Sequence, residues 1–179
     1  MDYIQHFDNT VLNFIQGTMR VGILDSVMPW ITWLGNSGFI WIAIGIYFVL
    51  QKKYRTIGMS ILISLVLCGL IGNLWLKPMI GRLRPSDVNL EAILLIARPM
   101  DYSFPSGHTL ASFAAATAIF LNNRRFGLWA YILATLIAFS RLYLYVHYPT
   151  DILAGIILGL GIGFTAIFLH NMFQKFFPH

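Results

Sequence analysis

Residues 152–173 read Ile-Leu-Ala-Gly-Ile-Ile-Leu-Gly-Leu-Gly-Ile-Gly-Phe-Thr-Ala-Ile-Phe-Leu-His-Asn-Met-Phe, without a single Asp, Glu, Lys or Arg. About 20 apolar residues let a helix cross the hydrocarbon core of a bilayer, so this stretch reads as a membrane span. Gly155, Gly159 and Gly163 recur every four residues along it. That spacing makes a small-residue stripe on which another helix can pack closely. The same glycines also read as loose packing with no such partner. Working outward, residues 31–50 and 57–76 read as spans, the second uncharged, and 126–139 extends naturally to 146. Residues 107–121 are short for a span and cross only with part of their flank and local thinning. Residues 1–29 stay open. Ile4, Phe7, Val11, Phe14 and Ile15 fall on one helical face, with Asp8, Asn9, Asn13 and Gln16 elsewhere. That pattern suits an interfacial amphipathic helix or a polar first span inside a bundle. The expected fold is all-α, a polytopic membrane bundle of five to six spans forming a single domain over residues 1–179.

Composition supports this reading. Of 179 residues, 58% are hydrophobic and 11% charged, against about 25% charged in ordinary soluble domains, and mean hydropathy is +0.71. Disorder is excluded, since it needs low hydrophobicity and high charge. One cysteine, Cys68, excludes a disulfide framework or a cysteine metal cluster. The net charge of +5 is scattered between apolar runs rather than gathered with aromatics, so no nucleic-acid partner is expected. Asp2 and Asp8 precede the first basic residue, Arg20, which does not read as a cleavable signal peptide.

Lys52, Lys53 and Arg55 join two spans, Arg124 and Arg125 join two more, and Lys175 follows the last. Alternation puts all of them on one side, which the positive-inside rule makes cytoplasmic, together with the C-terminus. The expected location is the cell membrane. Asp25, Asp87, Glu91, Asp101 and Asp151 then lie outside, with Lys77, Arg82, Arg84, Arg98 and Arg141. Cations on the side that should be poor in them call for a chemical reason. Residues 77–106 hold Pro78, Gly81, Pro85, Pro99 and Pro105, so no continuous helix fits there. They read as an outer loop, a lid or access region with a short amphipathic helix around 89–97.

Three segments meet at the outer ends of spans. The first runs from Lys77 to Arg84-Pro85. The second is Pro105-Ser106-Gly107-His108. The third is Ser140-Arg141, then His147, then Asp151. Ser106 is a good N-cap residue, and a helix N-terminus favours an anion; a merely capped turn is the alternative. His147 and Asp151 are one turn apart, able to share a face. A carboxylate on one ring nitrogen leaves the other as a nucleophile or base. Pro149 suits the first helical position and bars Tyr148 from helical geometry. His147 should therefore precede the last span, with Asp151 in its first turn. Lys77, Arg84 and Arg141 would hold a dianion through charge-assisted bonds, as phosphoryl transfer requires. Arg82 and Arg98 read as snorkelling interface anchors. His108, His147, Asp101 and Asp151 carry donors, but no paired-ligand motif such as His-Glu-x-x-His is present. Crowded cations would also repel a divalent ion, so neither metal nor cofactor is expected.

Lys77…Arg84-Pro85, Pro105–His108 and Ser140-Arg141…His147…Asp151 together resemble the signatures of the type 2 phosphatidic acid phosphatases, or lipid phosphate phosphatases. That family shares its active-site pattern with vanadium haloperoxidases. Every signature position matches, and the hydrophobic layout extends the likeness over most of the chain. The resemblance implies six membrane helices, with residues 1–29 supplying the first. It implies that His147 attacks phosphorus to form a phosphohistidine and that Asp151 orients it. His108 would protonate the leaving oxygen and then activate water. Lys77, Arg84, Ser106, Gly107 and Arg141 would bind the phosphoryl oxygens. A helix N-terminus opposes protonation of His108 and a bound phosphate dianion favours it, so His108 should be protonated mainly when substrate is present.

A site facing outward at the membrane surface, with no soluble domain, implies a lipid phosphate as substrate partner. The layout resembles bacterial members of the family, and undecaprenyl pyrophosphate is the favoured substrate, since it is regenerated on the outer leaflet. Phosphatidylglycerophosphate or phosphatidic acid is the alternative. A transporter of an anionic substrate would show internal repeats and charges at mid-bilayer. An intramembrane serine protease would leave Arg141 dispensable, and a purely structural protein would tolerate every charged substitution.

Overall fold

The computed structural model describes residues 2–176. The apolar runs are helical, and among the described residues there is no strand. The elements are α1 (Asp2–Phe14), α2 (Gly22–Leu34), α3 (Phe39–Leu50), α4 (Arg55–Cys68), α5 (Lys77–Ile80), α6 (Pro85–Val88), α7 (Gly107–Asn122), α8 (Arg124–Tyr143) and α9 (Pro149–Phe176). A π-helical stretch, Gly69–Leu76, carries α4 into α5 without a break. The helix stops at Gly81, whose φ of 62° lies in the left-handed region open to glycine. Asn123 alone joins α7 to α8, and its side chain caps α8 by accepting from the Phe126 N–H at 3.1 Å.

The core forms around α7, whose Ala114, Ala115, Ala116 and Ala118 have no exposed surface. The glycine stripe of α9 packs on this helix. A Cβ at Gly159 would lie 2.8 Å from the Leu110 carbonyl and 2.9 Å from Phe113 Cβ, and one at Gly163 would lie 2.5 Å from Thr117 Cβ. Of the two readings of those glycines, close helix packing is therefore the one realised. Trp41 of α3 is fully buried and donates to Ser112 Oγ at 2.9 Å. The outer surface is apolar, with Trp30, Leu50, Leu74, Trp129 and Phe168 largely exposed. Phe48, Tyr54 and Phe126 cluster. They bring the basic turn after α3 beside Arg124 and Arg125 in the first turn of α8.

Lys52–Val88, Arg124–Tyr143 and Pro149–Phe176 are long and apolar enough to cross a membrane. Gly22–Leu34 and Asn36–Leu50, bent by 47°, make a fourth crossing if taken as one. The expected uninterrupted span 31–50 is thus broken. Ser37 and Gly38 both have positive φ, which no continuing α-helix accommodates. The 16 residues of α7 reach about 24 Å, short of a core about 30 Å thick; α7 is the buried centre. The expected helix around 89–97 is absent. That segment is irregular apart from a turn at 90–91, with Leu95 and Ile96 packed on the cluster that holds Tyr143 and Val146, and so short a helix is marginal on its own propensity.

In α1 the usual arrangement is reversed. Tyr3, Ile4, Phe7 and Phe14 face outward, while Asp8 is fully buried beside Leu12 and Ile15. Gln16, in the turn that follows, donates to the Tyr143 carbonyl at 3.0 Å. Residues 2–29 are therefore docked on the end of α8 and the start of α9. They supply no long apolar crossing before Gly22.

Candidate active site

Three chain segments converge at one end of the bundle. Lys77 enters from the last turn of the α4–α5 helix rather than from the loop beyond it, and is buried. A Cβ on Gly107 would lie 3.8 Å from Lys77 Nζ and 3.2 Å from Asn73 Oδ1, so the ammonium stands at the N-terminus of α7. Ser106 caps that helix from a fully buried position, accepting from the Thr109 N–H at 3.5 Å and the Thr109 hydroxyl at 3.0 Å. Its own N–H donates to the Asp151 carbonyl at 3.2 Å, which joins the start of α7 to the start of α9.

Arg84, 2% exposed, donates through Nη1 to the Val146 carbonyl at 2.6 Å and lies 2.9 Å from His147 Nε2. Its Nη2 donates to Asp101 Oδ1 at 2.6 Å, and the other Asp101 oxygen takes Lys77 Nζ. Asp101 thus bridges the two cations that would hold a phosphoryl group, and an incoming anion competes with it. Burial pushes the Asp101 carboxyl up, but Lys77 and Arg84 outweigh this and hold it at about 2.

His147 lies in the turn between α8 and α9, 1% exposed. Asp151 Oδ2 is 3.5 Å from its Nδ1, too far for a strong direct bond. Ser103 stands between them: its hydroxyl donates to Asp151 Oδ2 at 2.5 Å and lies 3.4 Å from His147 Nδ1. Since the Ser103 proton goes to the carboxylate, Nδ1 carries a hydrogen toward Ser103. Nε2 then keeps a lone pair, which receives an Arg84 N–H. Burial, together with Arg84, Arg141 and Lys77, holds the ring's pKa well below 6.5. The residue is a neutral imidazole with its lone pair turned to the cationic cluster, which is the form a nucleophile needs.

Arg141 is 3% exposed and donates to Thr32 Oγ1 at 2.5 Å, while its Nε has no partner. A buried guanidinium N–H without an acceptor is costly unless a ligand supplies one. His108 Nε2 lies 2.9 Å from Asn36 Oδ1, in the bend between α2 and α3. That bend comes so close that a Cβ on Gly35 would meet His108 Cδ2 at 2.7 Å. These groups line a cavity of about 990 Å³ whose remaining wall includes Ile42, Leu62, Leu65 and Val66. It offers a cationic end and an apolar flank, as an amphiphile with an anionic head requires.

Every sequence-predicted site residue sits in this assembly: Lys77, Arg84, Ser106, Gly107, His108, Arg141, His147 and Asp151. Two readings need correction. Arg82 is not a snorkelling anchor. It pairs with Asp151 at 2.7 Å and Asp8 at 2.6 Å. Arg98 is no anchor either: it donates to the Ser86 carbonyl and faces Asp87 at 3.7 Å. Ser103, Asn36 and Thr32 escaped sequence reasoning because a lone serine, asparagine or threonine carries no signal. Ser103 alone stood near a motif, two residues before Pro105.

A model described as the PAP2 superfamily matches residues 54–176. An undecaprenyl-diphosphatase of Sulfolobus acidocaldarius is 32% identical over 152 residues, covering 83% of this chain and 71% of its own. A lipid A 4'-phosphatase of Bacteroides thetaiotaomicron is 32% identical over 175 residues, covering 89% of this chain and 75% of its own. The crystal structure of a transmembrane PAP2-type phosphatidylglycerolphosphate phosphatase from Bacillus subtilis superposes with a TM-score of 0.75. It is 26% identical, and the match covers 100% of this chain and 90% of that one. Residues 54–176 are most of the chain, and the chain therefore belongs to the PAP2 superfamily, as a multi-pass membrane phosphatase acting on lipid phosphates.

Proposed function

We propose that this enzyme hydrolyses undecaprenyl pyrophosphate at the outer membrane surface, with the C-terminus in the cytoplasm. The observation that carries the chemistry is the buried, neutral His147, whose Nε2 meets Arg84 in a cavity shared with Lys77, Arg141 and His108. The phosphoryl group displaces Asp101 and is held by Lys77, Arg84, Arg141 and the backbone N–H groups opening α7 at Ser106 and Gly107. Arg84 then bonds a phosphoryl oxygen instead of Nε2, which frees the lone pair. Nε2 attacks phosphorus as the bond to the leaving oxygen breaks, and His108 gives that oxygen its proton. His108 next takes a proton from water, whose oxygen attacks the phosphohistidine and releases phosphate and free His147. Asp151 and Ser103 keep the ring oriented in both steps.

Support for the pyrophosphate comes from the Sulfolobus relative and from a basic pattern that, by the positive-inside rule, argues for an outward-facing site. A second reading, phosphatidylglycerophosphate, is favoured by the Bacillus subtilis structure, which matches this chain over its whole length. The test is phosphate release by detergent-purified protein, in EDTA, from undecaprenyl pyrophosphate, phosphatidylglycerophosphate, phosphatidic acid and a soluble phosphate ester. The expected result is fastest release from undecaprenyl pyrophosphate, undiminished by EDTA and abolished in His147→Ala. Equal release by that variant would overturn the histidine mechanism, and a faster rate on another lipid would reassign the substrate.

A further inference from the structure

Next to His147, among residues that do not line the cavity, lies a second cluster of charge of which the reaction above uses only Asp151. Asp8 and Asp151 are both fully buried, and two buried carboxylates need compensation to remain ionised. Arg82 provides it by forking. Its Nη1 donates to Asp151 Oδ1 at 2.7 Å and its Nη2 to Asp8 Oδ2 at 2.6 Å. The guanidinium lies over the Tyr148 ring, 4.0 Å from its centroid.

Asp8 in turn holds the first turn of α9. Its Oδ1 accepts the Thr150 N–H at 2.9 Å and its Oδ2 the Thr150 hydroxyl at 2.7 Å. An acidic side chain from one helix thus caps another, 142 residues on. The remaining Asp151 oxygen accepts the Tyr148 N–H at 2.9 Å and the Ser103 hydroxyl at 2.5 Å. Asp151 therefore has no freedom to turn, and one face of its environment is set by a residue of α1.

We propose that Asp8 and Arg82 are positioning residues for the reaction: they fix Asp151 and share its charge, and through Asp151 and Ser103 they aim His147 Nε2 at the phosphoryl group. This inference rests on the phosphatase reading above. With Asp8 present, Arg82 divides its charge between two carboxylates, and Asp151 keeps enough negative charge to support the imidazole. With Asp8 neutral, Arg82 draws on Asp151 alone. The nucleophile weakens, while Lys77, Arg84 and Arg141 bind phosphate as before.

The test uses the full chain in detergent as wild type, Asp8→Asn, Arg82→Gln, the double variant and His147→Ala. Phosphate release from phosphatidic acid gives kcat and KM. Inhibition constants are measured for orthovanadate, which needs the histidine lone pair to reach five-coordination, and for inorganic phosphate, which needs only the cations. Asp8→Asn is expected to lower kcat about tenfold with KM within about twofold, and to weaken vanadate about tenfold while phosphate is unchanged. The double variant should be no worse than Arg82→Gln, because Asp8 acts through Arg82. If Asp8 merely staples α1 to α9, its loss reduces the amount of active protein and leaves both inhibition constants where they were, which would overturn the proposal. Additive losses in the double variant would also overturn it. Should Asp8→Asn fail to fold, Arg82→Lys carries the same expectation, since an ammonium keeps the charge but cannot fork. A wild type without phosphate release, or one matched by His147→Ala, removes the phosphatase reading and this inference with it. Release that needs His147 but is indifferent to Asp8 and Arg82 removes this inference alone.

Discussion

His147 shows how burial prepares a side chain for one role. An exposed imidazole is partly protonated near neutrality. This one is enclosed, faced by Arg84, Arg141 and Lys77, and refuses a proton until well below pH 6.5. Its lone pair is thus available throughout the neutral range. The same environment has a consequence for stability. In the unfolded chain the ring binds its proton near pH 6.5, while the folded state excludes it, so below that pH the unfolded state holds more protons and stability falls. The contribution is fully present above pH 6.5 and is lost progressively as pH drops toward the folded pKa. Thermal unfolding between pH 7 and pH 5 is expected to show a steeper fall in Tm for the wild type than for His147→Gln. Parallel curves for the two proteins would show that the ring titrates normally in the folded state.

At the scale of elements, the close seam between α7 and α9 keeps two parts of the site in register. Ser106 at the head of α7 and Asp151 at the head of α9 are tied by a backbone bond of 3.2 Å. Below them Gly159 and Gly163 let the helix axes approach until a Cβ would collide with backbone atoms of α7, and one at Gly155 would press on Thr109. Gly159→Val therefore forces the helices apart, and overpacking of this kind costs about 1–3 kcal/mol or more. A lowered Tm is expected together with a loss of kcat, because separation also shifts Asp151 relative to Ser106. Gly161, whose Cβ would meet nothing within 4 Å, is the control: Gly161→Val should leave both values close to wild type. A seam that tolerated valine at both positions would mean the helices pack less tightly than the contacts imply.

At the scale of the whole molecule, the charges separate by function. The basic turn at Lys52–Tyr54 and the basic start of α8 are brought together by Phe48, Tyr54 and Phe126, at the end α9 approaches as it runs away from the site. The cations of the site gather at the other end, each within reach of an acid or of the cavity. The proposed topology is testable with single cysteines added to a Cys68→Ala background, because the native Cys68, 4% exposed, lines the site cavity. In intact cells, Met100→Cys should react with a membrane-impermeant maleimide, while Lys53→Cys should react only after permeabilisation. The reverse pattern would place the site on the cytoplasmic face and remove the outer-leaflet argument for the substrate.

The sequence alone determined what depends on local composition and spacing. Apolar length announced a membrane bundle, since hydrocarbon admits backbone only with its hydrogen bonds closed. The fixed spacings Lys77…Arg84, Ser106…His108 and Arg141…His147…Asp151 marked the candidate site groups, because the members of each set lie close together in the chain. What depends on contacts between distant segments was decided by the tertiary structure. Ser103 between His147 and Asp151, Asp101 across Lys77 and Arg84, Asn36 against His108 and Asp8 behind Arg82 each join residues that no local pattern links. The polar face of α1 looked as suited to water as to protein. Only the arrival of Arg82 and the first turn of α9 on that face turned it inward, because a carboxylate surrounded by lipid can stay charged only where donors meet it.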